Sequence, residues 1–348
     1  MKFGLFDHLE RSADRSLATQ YDERLEFAAA ADEAGFYCLH VAEHHSSPLN
    51  MVPVPGLWLS AVTRATKRMR IGPLCYLLPL YSPLRLIEEL CMLDHLSKGR
   101  LEIGIGRGVS PFEMKYHNVE HDQSREIFAD AYACIRAGLG KDEFSYKGPH
   151  YEYHDVPLPF QPLQQPTPAF WYGSSNTTGA TWAGEHGMHF VANGSVEHAK
   201  PNIDAYRAAL AKRGGVEKHK AEFPDGGVVG QLRHIVIADT DEEAVIIAKP
   251  AMEHHAASLN WIRERNNSDA FTARLNVHRD TSYEGWADKG MVIAGSPETV
   301  TRKLTEQVGA LGVNYLCLYM FFGTMTLPQA LRSMALFRTE VMPKLAHL

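Results

Sequence analysis

The chain of 348 residues predicts a (β/α)8 TIM barrel. First, eight short apolar stretches with strand period alternate with amphipathic helical stretches, and at this length that spells one barrel of parallel βα units. Second, the same punctuation recurs. A helix ends on glycine or a basic pair, an apolar strand follows, and a polar or glycine turn comes next; this happens at Gly35, Lys67-Arg68, Gly99 and Gly312. Third, the main alternative, a doubly wound sheet, wants its glycine fingerprint at the first βα turn. That turn is Phe6-Asp-His-Leu-Glu10, without glycine, and Gly104, Gly106 and Gly108 miss the pattern because position 109 is Val.

Lys2–Phe6 reads as the first strand and Tyr21–Ala34 as the helix after it, stopped by Gly35. Phe36–Ala42 is the second strand, followed by Glu43-His44-His45, and Val54–Thr66 the next helix. Met69–Leu78 is the third strand. Ser82-Pro83 then opens a helix, Ser as N-cap and Pro at its first position, with Leu86, Leu90 and Leu93 as its stripe. The fourth strand lies in Arg100–Gly108, where Leu101, Ile103 and Ile105 alternate with Glu102, Gly104 and Gly106. Asp122–Gly138 is helical. Phe144–Tyr153 reads as a hairpin about Lys147-Gly148-Pro149, and five prolines between Pro157 and Pro168 exclude a helix there.

Ala169–Tyr172 is the fifth strand, and Gly173-Ser-Ser-Asn176 leads into a helix, Thr177–His186. Met188–Ala192 is the sixth strand and Ala199–Arg213 a helix. Leu232–Ala238 is the seventh, and Thr240-Asp-Glu-Glu243 matches a capping box for a helix that carries Pro250. Arg263–Gly290 turns polar and reads as a mobile lid. A helix from Ser296-Pro297, the eighth strand Val313–Met320 and the helix Leu327–Leu345 complete the chain. Residues 1–348 are thus expected to form one barrel domain, with a hairpin and proline-rich insertion over 140–168 and a lid over 263–290.

Hydrophobic residues make up 45% and charged residues 22%, ordinary for a globular domain, and the net charge of −6 gives no basic footprint for nucleic acid. No apolar run is long enough for a membrane helix, and Asp7 comes too early for a signal peptide. The five cysteines show no paired spacing and read as reduced, so a cytoplasmic location is expected.

In such a barrel the chemistry sits at the C-terminal ends of the strands. Arg107, a cation in a bare glycine turn, suits an anion such as a phosphate. Arg125 lies one turn into the next helix, and Gly173 to Asn176 offer hydroxyls and N–H groups at a helix N-terminus. Taken alone, Arg125 reads as a surface helix charge. His44 has an intrinsic pKa suited to acid–base work, a hydrogen-bonded core histidine being the alternative. No metal is expected: His44 and His45 point opposite ways on an extended chain, and Glu253-His254-His255 reads as a solvated helix face.

Ala42-Glu-His-His45, Leu96-Ser-Lys-Gly-Arg100, Gly104-Ile-Gly-Arg-Gly108, Ser124-Arg125, Trp182-Ala-Gly-Glu-His-Gly187 and Val341-Met-Pro-Lys-Leu345 together resemble the bacterial luciferase family of flavin-dependent monooxygenases, above all the luciferase α chain. The resemblance runs nearly end to end. It implies reduced FMN delivered by a separate flavin reductase, and molecular oxygen used through a flavin peroxide to oxygenate a small organic substrate. It implies that Arg107 and Arg125 hold the FMN phosphate beside Ser175, Asn176 and Gly179, that Glu43, Leu74, Cys75 and Val109 line the flavin, and that His44 is catalytic. A non-proline cis peptide between Leu74 and Cys75 and a homodimer are further expectations.

The chain departs from the luciferase α chain at Gly106, where that chain carries a reactive cysteine. The glycine is expected to leave open volume beside the flavin, with little or no light emission. Two other readings remain: hydride transfer with a reduced deazaflavin, and a non-catalytic flavin-binding subunit. The presence of His44 and the length of the 263–290 segment favour catalysis over the latter.

Overall fold

The computed structural model describes residues 1–217, 227–266 and 282–348. Its strands are β1 (Lys2–Asp7), β2 (Cys38–Val41), β3 (Arg70–Pro73), β4 (Tyr76–Leu77), β5 (Ile103–Gly106), β6 (Glu143–Lys147), β7 (Glu152–Pro157), β8 (Phe170–Ser174), β9 (His189–Ala192), β10 (Val229–Ile237), β11 (Val292–Gly295) and β12 (Tyr315–Tyr319). Every pair in the main sheet is parallel, in the order β3-β2-β1-β12-β10-β9-β8-β5-β4. The bridge Ile71↔Leu101 joins β3 to the start of β5 and completes the ring. With β3 and β4 counted as two halves of one strand, this is the expected eight-stranded barrel.

The helices are α1 (Leu17–Ala34), α2 (Pro55–Ala65), α3 (Pro83–Ser97), α4 (Pro111–Tyr116), α5 (Ser124–Gly138), α6 (Thr177–Glu185), α7 (Val196–Arg213), α8 (Asp241–Arg265), α9 (Tyr283–Asp288), α10 (Pro297–Leu311), α11 (Leu327–Leu336) and α12 (Met342–Leu345). Caps sit where the residues dictate. Gly35 and Gly312 end α1 and α10 with φ of 88° and 62°, and the Thr240 hydroxyl accepts from the Glu243 N–H to start α8.

The ends of β3 and β5 approach so closely that a Cβ on Gly104 would stand 2.0 Å from the Pro73 carbonyl oxygen. Only glycine permits that approach.

Four features differ from the sequence expectation. The third strand is broken at Leu74-Cys75, whose peptide is cis as expected. A short helix, α4, follows β5. An extra strand, β11, pairs with His234–Ile237 of β10, beyond the Val229–Gln231 segment that pairs with β9. The closing helix widens over Phe337–Val341 before Met342-Pro343, where proline lacks a donor. The expected hairpin is present as antiparallel β6 and β7. The expected lid falls largely on residues 267–281, outside the described residues; its flanks are helical, α8 running through Arg265 and α9 burying Tyr283 and Trp286.

Candidate active site

The C-terminal ends of β2, β4, β5 and β8 surround a cavity of about 260 Å³. Glu43, His44, Leu74, Cys75, Arg107, Val109, Ser175 and Asn176 all line it. The barrel therefore brings together residues from four separate strand ends.

Glu43 is buried, 2% exposed, and fully engaged. One carboxylate oxygen accepts from the Leu77 N–H (3.1 Å) and the Tyr81 hydroxyl (2.9 Å); the other faces His45 Nε2 at 2.8 Å. Burial raises its pKa, while His45, the Leu77 N–H and Tyr81 work against that rise. Glu43 thus ties the segment after the break in the third strand to β2, and so shapes the cavity floor.

His44 points its Nδ1 at Glu113 Oε1, 3.2 Å away, and Glu113 Oε2 accepts from the His45 N–H at 3.1 Å. Burial opposes charge on the His44 ring, but the Glu113 carboxylate outweighs it and the pKa is raised. Burial likewise opposes charge on Glu113, and His44 and the His45 N–H outweigh that, lowering its pKa. On its other face the His44 ring stacks on His8, centroids 5.4 Å apart. Glu113 is the site residue that the sequence reading missed. Its signal was present: Ser110-Pro-Phe-Glu113 is a capping sequence, and the Ser110 side chain does accept from the Glu113 N–H to start α4. The Glu113 carboxylate turns away from the helix end to the histidines.

Arg107 follows β5 directly and donates to the Ser124 hydroxyl at 3.1 Å. Burial and then the charge of Arg125 lower its pKa. Neither guanidinium has a carboxylate partner among the described residues. Two cations held together without an acid form a site for a multiply charged anion. Across the cavity, Asn176 caps α6 by accepting from the Gly179 N–H at 2.9 Å. Gly179 itself lies back from the cavity, where a Cβ would meet Ser174 Oγ at 2.5 Å.

The open volume expected at Gly106 is absent. A Cβ there would lie 2.2 Å from the Cys75 sulfur, so the thiol of the third strand occupies the space. Burial, then the nearby Glu43, pushes the Cys75 pKa up to about 12, and the group stays a neutral thiol.

The luciferase-like monooxygenase family model matches residues 1–315, and the chain belongs to that family. An uncharacterized protein of Sinorhizobium fredii, y4wF, is 33% identical over 99% of this chain and 97% of its own length. The oxygenase component of the flavin-dependent trigonelline monooxygenase of Acinetobacter baylyi is 26% identical, covering 89% of this chain and 87% of that protein. Among solved structures, the oxygenating constituent of 3,6-diketocamphane monooxygenase from Pseudomonas putida, a type II Baeyer-Villiger monooxygenase in complex with FMN, superposes with a TM-score of 0.82 at 22% identity, over 99% of this chain and 98% of that one.

Two outcomes test the site. Gly106→Ala should destabilise the fold by about 1–3 kcal/mol, the usual cost of overpacking, and adding Cys75→Ala should recover most of it. Denaturant melts of the two single variants and the double variant measure this; additive losses would show that the positions do not share one volume. Glu113→Gln should lower the His44 pKa, read by NMR titration. The pair stabilises the fold between two limits. It weakens as pH falls through the depressed Glu113 pKa, and again as pH rises through the raised His44 pKa. The stability difference between wild type and Glu113→Gln should therefore shrink at both ends; a difference independent of pH would refute the pairing.

Proposed function

We propose that the chain is an FMN-dependent monooxygenase that takes reduced FMN from a separate reductase and oxygenates a small organic substrate with molecular oxygen. The observation that carries this reading is Arg107 on the wall of a cavity that also holds Leu74, Cys75 and Val191, with Arg125 near enough to act on its charge and no carboxylate paired with either among the described residues. A phosphate on the arginines with a flat ring system running inward matches that layout. When bound, reduced FMN would supply the electrons that activate oxygen. The chain's own groups do the rest. Arg107, Arg125 and Ser175 hold the phosphate, and Leu74 and Cys75 present the floor. His44, biased toward its protonated form by Glu113, donates or accepts a proton at the cavity wall. The name of the Acinetobacter relative, an oxygenase component, supports a reductase as partner.

We place the protein in the cytoplasm as a homodimer. All five cysteines are free, as reducing surroundings allow, and no helix among the described residues is long and apolar enough to cross a membrane. Adjacent α2 and α3 expose Leu57 (72%), Met92 (57%) and Leu96 (40%), the kind of apolar face that a second copy covers. Leu57→Glu should shift the sedimenting species toward monomer; an unchanged species, or a monomeric wild type, removes this face from consideration.

The deciding experiment is an anaerobic titration with reduced FMN and, separately, a reduced deazaflavin, followed by oxygen and time-resolved absorbance. Tight FMN binding and an oxygen-dependent transient before the oxidised spectrum support the proposal; binding of the deazaflavin alone overturns it. Arg107→Ala and Arg125→Ala should each weaken FMN binding by about 1.5–3 kcal/mol, the range for charged hydrogen bonds. Riboflavin, lacking the phosphate, should bind all three proteins alike.

A further inference from the structure

Behind His44 lies a cluster that the proposed chemistry does not use. His255 of α8 is buried, 2% exposed, contrary to the solvated face expected for Glu253-His254-His255. Its Nδ1 contacts a carboxylate oxygen of Glu10, a residue of the loop after β1 that is equally buried. A ring nitrogen of His8 completes a trio whose three ligand atoms all lie within 4.8 Å of one another. The Tyr319 hydroxyl donates to that same Glu10 oxygen at 3.0 Å, and the Gly323 N–H donates to the other. Nδ1 of His8 is buried and has no hydrogen-bond partner.

We propose that His8, Glu10 and His255 form a binding site for one divalent transition-metal ion, with zinc as the test ion. Two imidazoles and one carboxylate are a donor set for such ions. Tetrahedral coordination at about 2.0–2.2 Å sets ligand atoms roughly 3.3 Å apart, so the Glu10–His255 contact must open to admit the ion while His8 draws in. Ligating carboxylates are ordinarily held by further hydrogen-bond donors, as Tyr319 and Gly323 hold Glu10. The ion would clamp the β1 loop to α8. The alternative is a plain contact between Glu10 and His255. It accounts for those two residues and leaves the buried His8 nitrogen unexplained. By contrast His44 and His45 each face a separate carboxylate, Glu113 and Glu43, and converge on no common point.

The test uses the full chain, stripped with chelator and re-equilibrated with zinc, then dialysed. Metal analysis and a thermal melt are read for wild type, Glu10→Gln and His8→Phe. His8→Phe keeps the Glu10–His255 contact and so should fold even if Glu10→Gln does not. Expected are one equivalent of zinc per wild-type chain, a melting temperature raised by zinc, and binding at least about 100-fold weaker in His8→Phe. Cobalt in place of zinc should give visible absorption in wild type and not in His8→Phe. Wild type that retains no zinc, or His8→Phe that binds it as wild type does, overturns the proposal.

Discussion

The site depends on a carboxylate that has left water. Glu43, at the end of β2, is held by a backbone N–H, a tyrosine hydroxyl and an imidazole, which together offset the desolvation that raises its pKa. Those three contacts reach residues 45, 77 and 81, so one side chain sets the floor of the cavity and the course of the chain after the broken third strand. The same device recurs one position along. Glu113 fixes His44 and the His45 backbone, and each of the two adjacent histidines has a carboxylate of its own.

Around this centre most charges are matched. Asp7 lies against Arg24 at 3.5 Å, and Glu10 against His255. Arg107, on the cavity, and its neighbour Arg125 have no carboxylate partner among the described residues, and the proposed function rests on that pair.

Much of this was legible in the chain. The βα rhythm, Gly35 and Gly312 as stops, and Thr240 as a cap are local signals, and the elements appear where those signals place them. Cys75, His44 and Arg107 meet in one cavity because barrel topology gathers strand ends, which follows once the fold is known. What escaped depends on pairs distant in sequence. Glu113 meets His44 across 69 positions, and His255 meets Glu10 across 245. No periodicity encodes such meetings; a helix face cannot be told solvated from buried until its neighbour is known. The Gly106 expectation failed for the same reason, since the volume that glycine vacates is filled from another strand.

Arg107 on the cavity wall and Arg125 beside it, both without a carboxylate partner among the described residues, also act at a distance. The net charge of −6 repels dianions from most of the surface, while this pair attracts them. Field lines then converge there, and capture of a phosphate-bearing molecule becomes a steered encounter whose association rate falls as ionic strength rises, with a reach of about 8 Å at physiological salt. Exchange of a diffusing ligand between two proteins would, on that ground, run fastest in dilute buffer.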